Sequence, residues 1–144
     1  MCSSDQAYHT GVVMITHDLG VVAQMADKVM VMYGGRTVEH GPVDEIFYNA
    51  HHPYTWGLLG SLPRLDETEK QRLTPIEGQP PNLLLLPEGC PFSGRCPYEM
   101  PVCPTEFPAL EIVGPDHGVH CWVARNERER IRASLPRFLQ SAAS

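Results

Sequence analysis

A short apolar run that ends in a polar turn constrains the fold of this chain more than any other feature. Residues 12–15 read VVMI, a continuous and mostly β-branched run that is typical of a strand buried on both faces of a parallel sheet. His17 and Asp18 follow in a polar turn, and Asp18 is suited to cap a helix over residues 19–26. A buried strand followed by a helix predicts an α/β fold. Because ligands of open α/β sheets bind beyond the carboxyl ends of strands, His17 is expected at a ligand-binding edge of the sheet.

His17 has two interpretations at this position. A neutral imidazole can hydrogen-bond a phosphoryl oxygen or a water molecule that attacks it, which makes His17 a candidate catalytic residue. A lone histidine at the end of a strand is also commonly a structural residue whose ring nitrogens are satisfied by its neighbours. The fold class is compatible with both roles of His17, and the sequence around it distinguishes them.

The segment after this turn predicts a hairpin followed by a short helix. Residues 28–33 have the pattern of an apolar strand, Gly34 and Gly35 that of a tight turn, and residues 36–39 that of the returning strand. A short helix is then predicted over residues 43–49. The order is therefore strand, helix, hairpin and helix.

A longer stretch carries the resemblance to a known family. Residues 15–47, ITHDLGVVAQMADKVMVMYGGRTVEHGPVDEIF, resemble the switch-histidine region of ABC transporter ATP-binding subunits. Complete subunits of that family bind ATP with magnesium and pair head to tail with a second ATP-binding subunit. They dock on transmembrane permease subunits at the cytoplasmic side of the inner membrane. The resemblance therefore implies a peripheral, membrane-associated protein in which His17 contacts the γ-phosphate of ATP.

Other motifs of that family do not occur in this sequence. A phosphate loop of the form GxxxxGK[ST] is missing, as are the family's signature motif and the carboxylate pair at its magnesium site. In the family all of these precede the histidine, so the sequence corresponds to the last third of such a subunit. We therefore expect no ATP hydrolysis by this chain alone. Residues 1–10 fit no feature of the family.

A pair of histidines precedes the next predicted helix. His51 and His52 could suggest a metal site, but adjacent side chains diverge on a helix and lie on opposite faces of a strand. This favours a loop that enters a helix over residues 56–62. The triplet His52-Pro53-Tyr54 resembles the start of the C-terminal extension of oligopeptide and dipeptide importer ATPases. It narrows the resemblance to the peptide/nickel uptake branch of the family.

Four cysteines form the second candidate site. Cys90, Cys96, Cys103 and Cys121 are spaced as C-x5-C-x6-C-x17-C, and ten of the fourteen prolines lie within residues 75–115. The prolines predict irregular backbone. Such a segment buries little apolar area, so it needs cross-links such as disulfides or a metal centre to stabilise it. Two disulfides are disfavoured because no secretory signal is recognised, and zinc is disfavoured by the lack of a tight C-x2-4-C pair. Iron–sulfur clusters accept looser spacings, and unligated buried cysteines remain a further interpretation.

The cysteine-bearing segment carries its own resemblance. Residues 89–122, GCPFSGRCPYEMPVCPTEFPALEIVGPDHGVHCW, are similar to the cysteine-bearing end of peptide-importer ATPases, and all four cysteines match. In some members of that family these cysteines hold a [4Fe–4S] cluster with a structural role. The resemblance implies this cofactor, with zinc as the alternative. His120 would point away from Cys121 in an extended strand, which favours a supporting or surface residue over a ligand.

The charge distribution limits the partners. The formal net charge of −6 argues against nucleic acid as the main partner, and no apolar run approaches the ~20 residues that cross a bilayer as a helix. Residues 125–137 carry five basic and two acidic residues and predict an amphipathic helix that ends at Leu135, before Pro136. This helix either contacts an anionic partner or lies in solvent.

The patterns divide the chain into four regions. They are an edge of an ABC ATPase core (1–49), a helical bridge with exposed charges at 64–70 (50–73), a small irregular proline-rich four-cysteine extension (74–124), and a C-terminal helix and tail (125–144). Within the extension, residues 83–86 are predicted to form a strand or a packing loop. Because most strands of a complete core are missing, we expect residues 12–15 and 29–32 to expose apolar surface.

The predicted function follows the resemblance. We interpret the chain as a C-terminal fragment of the ATP-binding subunit of a peptide-family ABC importer, with a γ-phosphate-sensing histidine and a metal-stabilised extension. The alternative is a stand-alone metal-binding interaction module without nucleotide function. In that family, binding proteins and permeases select the transported substrate, and the ATP-binding subunit does not.

Overall fold

The computed structural model describes residues 10–61, 76, 78–79 and 82–135. Within these ranges the chain has a mixed α/β fold, in agreement with the predicted class. Its four-stranded sheet is antiparallel throughout, so the parallel sheet expected around residues 12–15 is wrong for the described residues. The elements in chain order are α1 (Leu19–Met25), β1 (Lys28–Tyr33), β2 (Arg36–Pro42), α2 (Val43–Tyr48), α3 (Pro53–Gly60), β3 (Glu111–Gly114), β4 (His117–Val119) and α4 (Arg125–Ser134). None of the described helices is long and apolar enough to cross a membrane.

The sheet joins the early and late parts of the described chain. Its strand order is β1-β2-β4-β3, and each neighbouring pair is antiparallel. Gly34 and Gly35 both have positive φ angles, 53° and 78°, as the two-residue turn between β1 and β2 requires. Glu39 of β2 lies opposite Val119 of β4. β2 of the hairpin is therefore the strand to which the C-terminal strands are joined in the sheet.

The helices follow local capping signals. The Asp18 carboxylate caps α1 as predicted, because its Oδ1 atom accepts hydrogen bonds from the backbone nitrogens of Gly20 at 2.9 Å and Val21 at 3.2 Å. α2 and α4 also form where the sequence predicts them, and α4 ends at a Leu135 cap. The predicted charged stretch at residues 64–70 lies outside the described residues.

The predicted strand over residues 12–15 does not form. These residues have no regular secondary structure, and the side chains of Val13 and Ile15 are 92% and 97% exposed. A strand of this composition needs neighbouring strands to hydrogen-bond it and layers to cover both faces. The described part of the chain supplies neither, so the predicted strand is wrong. The expectation that residues 12–15 expose apolar surface is confirmed.

Two buried clusters make up the core. The first joins the hairpin, α2 and the cysteine segment, and contains Val31, Tyr33, Val38, Ile46, Cys90, Phe92 and Cys103. The second lies around α3 and contains Ala50, Trp56 and Leu59. On β1, the side chains of Met30 and Met32 stay 62% and 53% exposed, as expected, whereas Val31 is buried in the first cluster, contrary to the expectation for residues 29–32.

Residues 83–86 form neither the predicted strand nor a packed loop. Residues 83–85 are between 70% and 90% exposed, and the Leu85 nitrogen donates a hydrogen bond to the Asn82 oxygen at 2.9 Å. Only Leu86 in this run is half-buried, with its side chain near Gly34 of the hairpin turn. A turn closed by Asn82 satisfies the backbone locally, so the segment gains little from pairing with the sheet.

Candidate functional site

All four cysteines of the predicted metal site line one cleft, which we name the thiol cleft. Cys90 and Cys103 are buried, whereas Cys96 and Cys121 are half-buried. The remaining walls are mostly apolar and include Pro53, Phe92, Tyr98, Pro108, Trp122 and Val123. The cleft has about 310 Å³ of space that no atom fills, part of it open to solvent. The fold thus brings together thiols that are far apart in the sequence.

Backbone hydrogen bonds hold two of these cysteines side by side. The Cys90 nitrogen donates to the Cys103 oxygen at 2.7 Å, and the neighbouring Gly89 nitrogen donates to the Pro104 oxygen at 3.1 Å. A tight turn closed by the Cys103 nitrogen and the Met100 oxygen, at 2.9 Å, precedes Cys103. Turns therefore position the thiols where prolines prevent regular strands.

The close approach of the two segments requires glycine at position 89. A Cβ atom at Gly89 would overlap the Cys103 carbonyl oxygen and lie 2.7 Å from the Glu106 nitrogen. We therefore expect Gly89→Ala to lower the free energy of unfolding by roughly 1–3 kcal/mol, because backbone must move. Urea unfolding measures this change.

Gly11→Ala is the matched control for that substitution, because a Cβ atom at Gly11 would meet no atom within 4 Å. Its free energy of unfolding should stay within about 0.5 kcal/mol of the parent chain. Equal stability of the two variants would contradict the tight contact between residue 89 and the Cys103 backbone.

Burial holds three of the four thiols in their protonated form. Burial, with a smaller contribution from neighbouring thiols, raises the pKa of Cys96 to about 12. Burial likewise raises the pKa of Cys90 and of Cys121, in the latter case against the opposing effect of the Arg128 guanidinium. A metal centre would therefore have to displace protons from these groups, and its binding would be pH-dependent.

The arrangement of the donors bears on which metal would fit. A zinc ion needs four sulfur atoms at about 2.3 Å from one point. Among the described residues, no group of three or more His, Cys, Asp or Glu side chains converges in a way that would hold a single ion. The four thiols line one mostly apolar cleft. The donor set is chemically that of an all-thiolate centre, a ligand type found both in zinc sites and in iron–sulfur clusters.

His17 is separate from the thiol cleft. It is exposed in the turn before α1, next to the Asp18 cap, and is not among the residues that line the cleft. His120 also lies outside the cleft lining, because its Nδ1 atom donates to the Pro108 oxygen at 2.8 Å and its ring packs on Phe107. This position agrees with the expectation that His120 is a supporting residue.

A buried carboxylate that sequence reasoning missed links the hairpin to the rest of the chain. Glu39 of β2 is fully buried, and its oxygens accept hydrogen bonds from four donors. The donors are the nitrogens of His51 (2.6 Å) and His52 (3.1 Å), Thr55 Oγ1 (2.6 Å) and His117 Nε2 (2.9 Å). Burial alone would raise the pKa of Glu39, but the bonds from His117, Thr55 and His51 outweigh it and hold the pKa below its usual value.

The two adjacent histidines start α3, as the loop interpretation predicts. His52 is the N-cap of α3, and its Nδ1 atom accepts a hydrogen bond from the Tyr54 nitrogen at 3.0 Å. This cap starts the helix at Pro53, three residues earlier than predicted. Burial lowers the pKa of His51 and of His52 to about 4, so both rings are neutral at neutral pH.

The C-terminal helix turns one arginine inward instead of presenting only a solvent-facing surface. Arg128 of α4 is fully buried, and its guanidinium donates to the Val123 oxygen at 2.9 Å and to the Glu111 carboxylate at 2.6 Å. A weaker bond reaches the Cys121 oxygen at 3.4 Å. Arg128 therefore joins α4 to β3 and to the backbone near the thiol cleft. The sequence pattern, which places this helix against an anionic partner or in solvent, does not predict this role.

Comparisons with known proteins agree with the resemblance seen in the sequence. Residues 38–103 match the family described as the oligopeptide/dipeptide transporter, C-terminal region. This range contains the Glu39 carboxylate, the His52-Pro53-Tyr54 triplet and three of the four cysteines.

Individual relatives are similar over most of the chain. It is 52% identical to the dipeptide transport ATP-binding protein DppD of Bacillus subtilis over 118 residues, which are 82% of this chain and 35% of that protein. It is 54% identical to the oligopeptide transport ATP-binding protein OppD of Salmonella typhimurium and 53% identical to that of Escherichia coli, each over 108 residues, 75% of this chain and 32% of the relative. The chain therefore spans about a third of the length of these relatives.

Proposed function

This chain belongs to the family of oligopeptide/dipeptide transporter ATP-binding proteins and carries their C-terminal region, and on that premise we propose that it serves ATP-dependent peptide import. The observation that carries the proposal is an identity of about half to proteins named for peptide transport, along 82% of this chain. The role is that of a nucleotide-binding subunit of an ABC importer. Its partners would be a second ATP-binding subunit and transmembrane permeases, at the cytoplasmic side of the membrane.

His17 would contact the γ-phosphate of ATP bound with magnesium in the complete subunit. Its exposed position before α1 supports this role, because the imidazole is accessible to a ligand and the Asp18 cap fixes where the helix begins. The chain would then consist of the core edge (1–49), the bridge (50–73), the extension (74–124) and the C-terminal helix and tail (125–144). The pairing of β2 with β4 supports an extension that packs on the core edge.

Genomic sequence directly upstream tests the subunit role. If this chain is part of an importer subunit, the DNA in frame with Met1 should encode a phosphate loop, a signature motif and a magnesium-binding carboxylate pair. An upstream region without an in-frame phosphate loop would contradict the nucleotide-binding role and favour the stand-alone metal-binding module.

The thiol cleft is proposed to hold a [4Fe–4S] cluster, with zinc as the alternative. The residues that would bind it are Cys90, Cys96, Cys103 and Cys121, which line one apolar space. When bound, the cluster would supply covalent cross-links among segments that otherwise depend on turns, which is a structural role. The protein's own contribution is to bring the thiols together and to shield them, through Phe92 and Trp122, from solvent.

Metal and sulfide analysis of the chain purified without oxygen tests this proposal. We expect about four iron and about four acid-labile sulfide per chain, with broad absorption near ~400 nm. Cys96→Ala should abolish the absorption, whereas Cys2→Ala, which lies outside the four-cysteine pattern, should retain it. About one zinc per chain would overturn the cluster and keep the four-cysteine site. A chain without metal would overturn the site itself.

A further inference from the structure

His117 of β4 lies between two carboxylates that come from different elements. Its Nε2 atom is 2.9 Å from Glu39 Oε1 of β2, and its Nδ1 atom is 3.3 Å from Glu45 Oε2 of α2. The His117 side chain is completely buried. We propose that His117 is a buried imidazolium that clamps β4 to the hairpin and to α2, and thereby positions the chain that leads to Cys121.

The hydrogen-bond donors around each carboxylate determine where the protons lie. Glu39 already accepts from two backbone N–H groups and a threonine hydroxyl, so it is an acceptor toward all its neighbours. Glu45 Oε2 accepts from Asn49 Nδ2 at 2.8 Å and is an acceptor as well. A neutral imidazole has one N–H group and one lone pair, so one of its nitrogens would face a carboxylate without a proton. Only the imidazolium donates to both.

The surrounding charges favour a cation at this position. Two carboxylates contact His117, and the His51 ring, whose centroid is 5.5 Å away, is kept neutral by burial. The nearby arginines have partners of their own, since Arg128 binds the Glu111 carboxylate and Arg132 binds the Asn49 side-chain oxygen. The other charged or titratable groups on β2 and α2 are Arg36, His40, Asp44 and Tyr48. Those on the adjoining segments include His52, Asp116 and Glu129. A buried pair of carboxylates with one imidazolium between them is therefore closer to charge balance than a pair with a neutral ring.

The clamp compensates for a short strand pairing. β4 has three residues and pairs with β2 through two residue pairs. Such a ladder is weak without side-chain support. The His117 ring lies against Gly41 of β2, where a Cβ atom would be 3.1 Å from its Cδ2 atom. Directly after β4, the His120 nitrogen donates to the Val38 oxygen at 2.9 Å, so docking of β4 fixes the chain one residue before Cys121.

Nitrogen-15 NMR of the histidine-labelled chain at pH 7 tests the protonation. We expect the His117 signals to show both ring nitrogens protonated, and His117→Gln identifies these signals because it removes them from the spectrum. In Glu45→Gln, which keeps an oxygen to accept from Asn49, the His117 signals should change to those of a ring with one protonated nitrogen. Glu99→Gln replaces an exposed carboxylate of the cysteine segment and should leave the His117 signals unchanged.

Amide hydrogen exchange measures the positioning role. In Glu45→Gln, exchange of the His120 N–H group should accelerate by roughly tenfold, because a charge-assisted hydrogen bond no longer holds β4. A single protonated ring nitrogen on His117 in the unaltered chain would overturn the imidazolium. Unchanged His117 signals and unchanged exchange in Glu45→Gln would overturn the two-carboxylate clamp. His117, Glu39 and Glu45 lie outside the thiol cleft lining, so both measurements are informative whether or not a metal is bound.

Discussion

Replacement of Glu39 by glutamine is expected to lower the free energy of unfolding by about 3–5 kcal/mol. The carboxylate is fully buried, and four donors, three from residues 51–55 and one from β4, converge on its two oxygens. Glutamine keeps one oxygen, but its NH2 group would face N–H and O–H donors and leave them without an acceptor. It would also remove one of the two negative charges beside His117. Because small domains are stable by only about 5–15 kcal/mol, this loss removes a large fraction of the free energy of unfolding.

Urea unfolding followed by tryptophan fluorescence measures this loss, since Trp56 is buried in the second core cluster. Glu99→Gln is the matched control, because Glu99 also accepts two hydrogen bonds, from Ser93 Oγ at 2.7 Å and from the Gly94 nitrogen at 2.8 Å, but is exposed. Its free energy of unfolding should change by less than about 1 kcal/mol. Comparable losses in the free energy of unfolding of the two variants would contradict the claim that the burial of Glu39 makes its replacement costly.

Local signals in the sequence account for the hairpin and the helix caps. The Gly34-Gly35 turn requires positive φ angles that glycine adopts freely, and Asp18 caps α1 through bonds to residues two and three positions away. These features depend on neighbours in the chain, so sequence patterns predict them. Residues 12–15 have an equally clear strand pattern, yet a strand depends on partners that lie elsewhere, and within the described residues none is adjacent.

The Glu39 carboxylate illustrates what sequence patterns do not reveal. On β2 it occupies a position that reads as an ordinary strand residue, and its burial arises from His117, 78 positions away, and from the backbone before α3. The position of the cysteines around one cleft is equally non-local, and their spacing alone leaves disulfides, zinc and a cluster open. A resemblance to a family, and not periodicity, is what singles them out.

Acidification is expected to destabilise the fold through His51 and His52. Burial lowers the pKa of both to about 4 in the folded chain, from an ordinary value near 6.5. Between these pH values the unfolded chain binds protons that the folded chain does not, so unfolding takes up protons and stability falls as the pH is lowered. Each histidine contributes up to roughly 1.4 kcal/mol per pH unit in this window. Below about pH 4.5, protonation of Glu39, whose folded pKa is lowered, acts in the same direction.

His52→Asn separates this titration from the structural role of the residue. Asparagine is a preferred N-cap, and its side-chain oxygen can accept the Tyr54 N–H bond that His52 Nδ1 accepts. The variant will lose some packing against Phe92 at every pH, but it removes one of the two titrating groups. The slope of the free energy of unfolding against pH should therefore fall by about half between pH 6.5 and pH 4.5. Urea unfolding at half-unit pH steps measures the slope independently of the packing loss. A flat profile in the unaltered chain, or an unchanged slope in His52→Asn, would mean that these buried rings are not what makes the fold sensitive to acid.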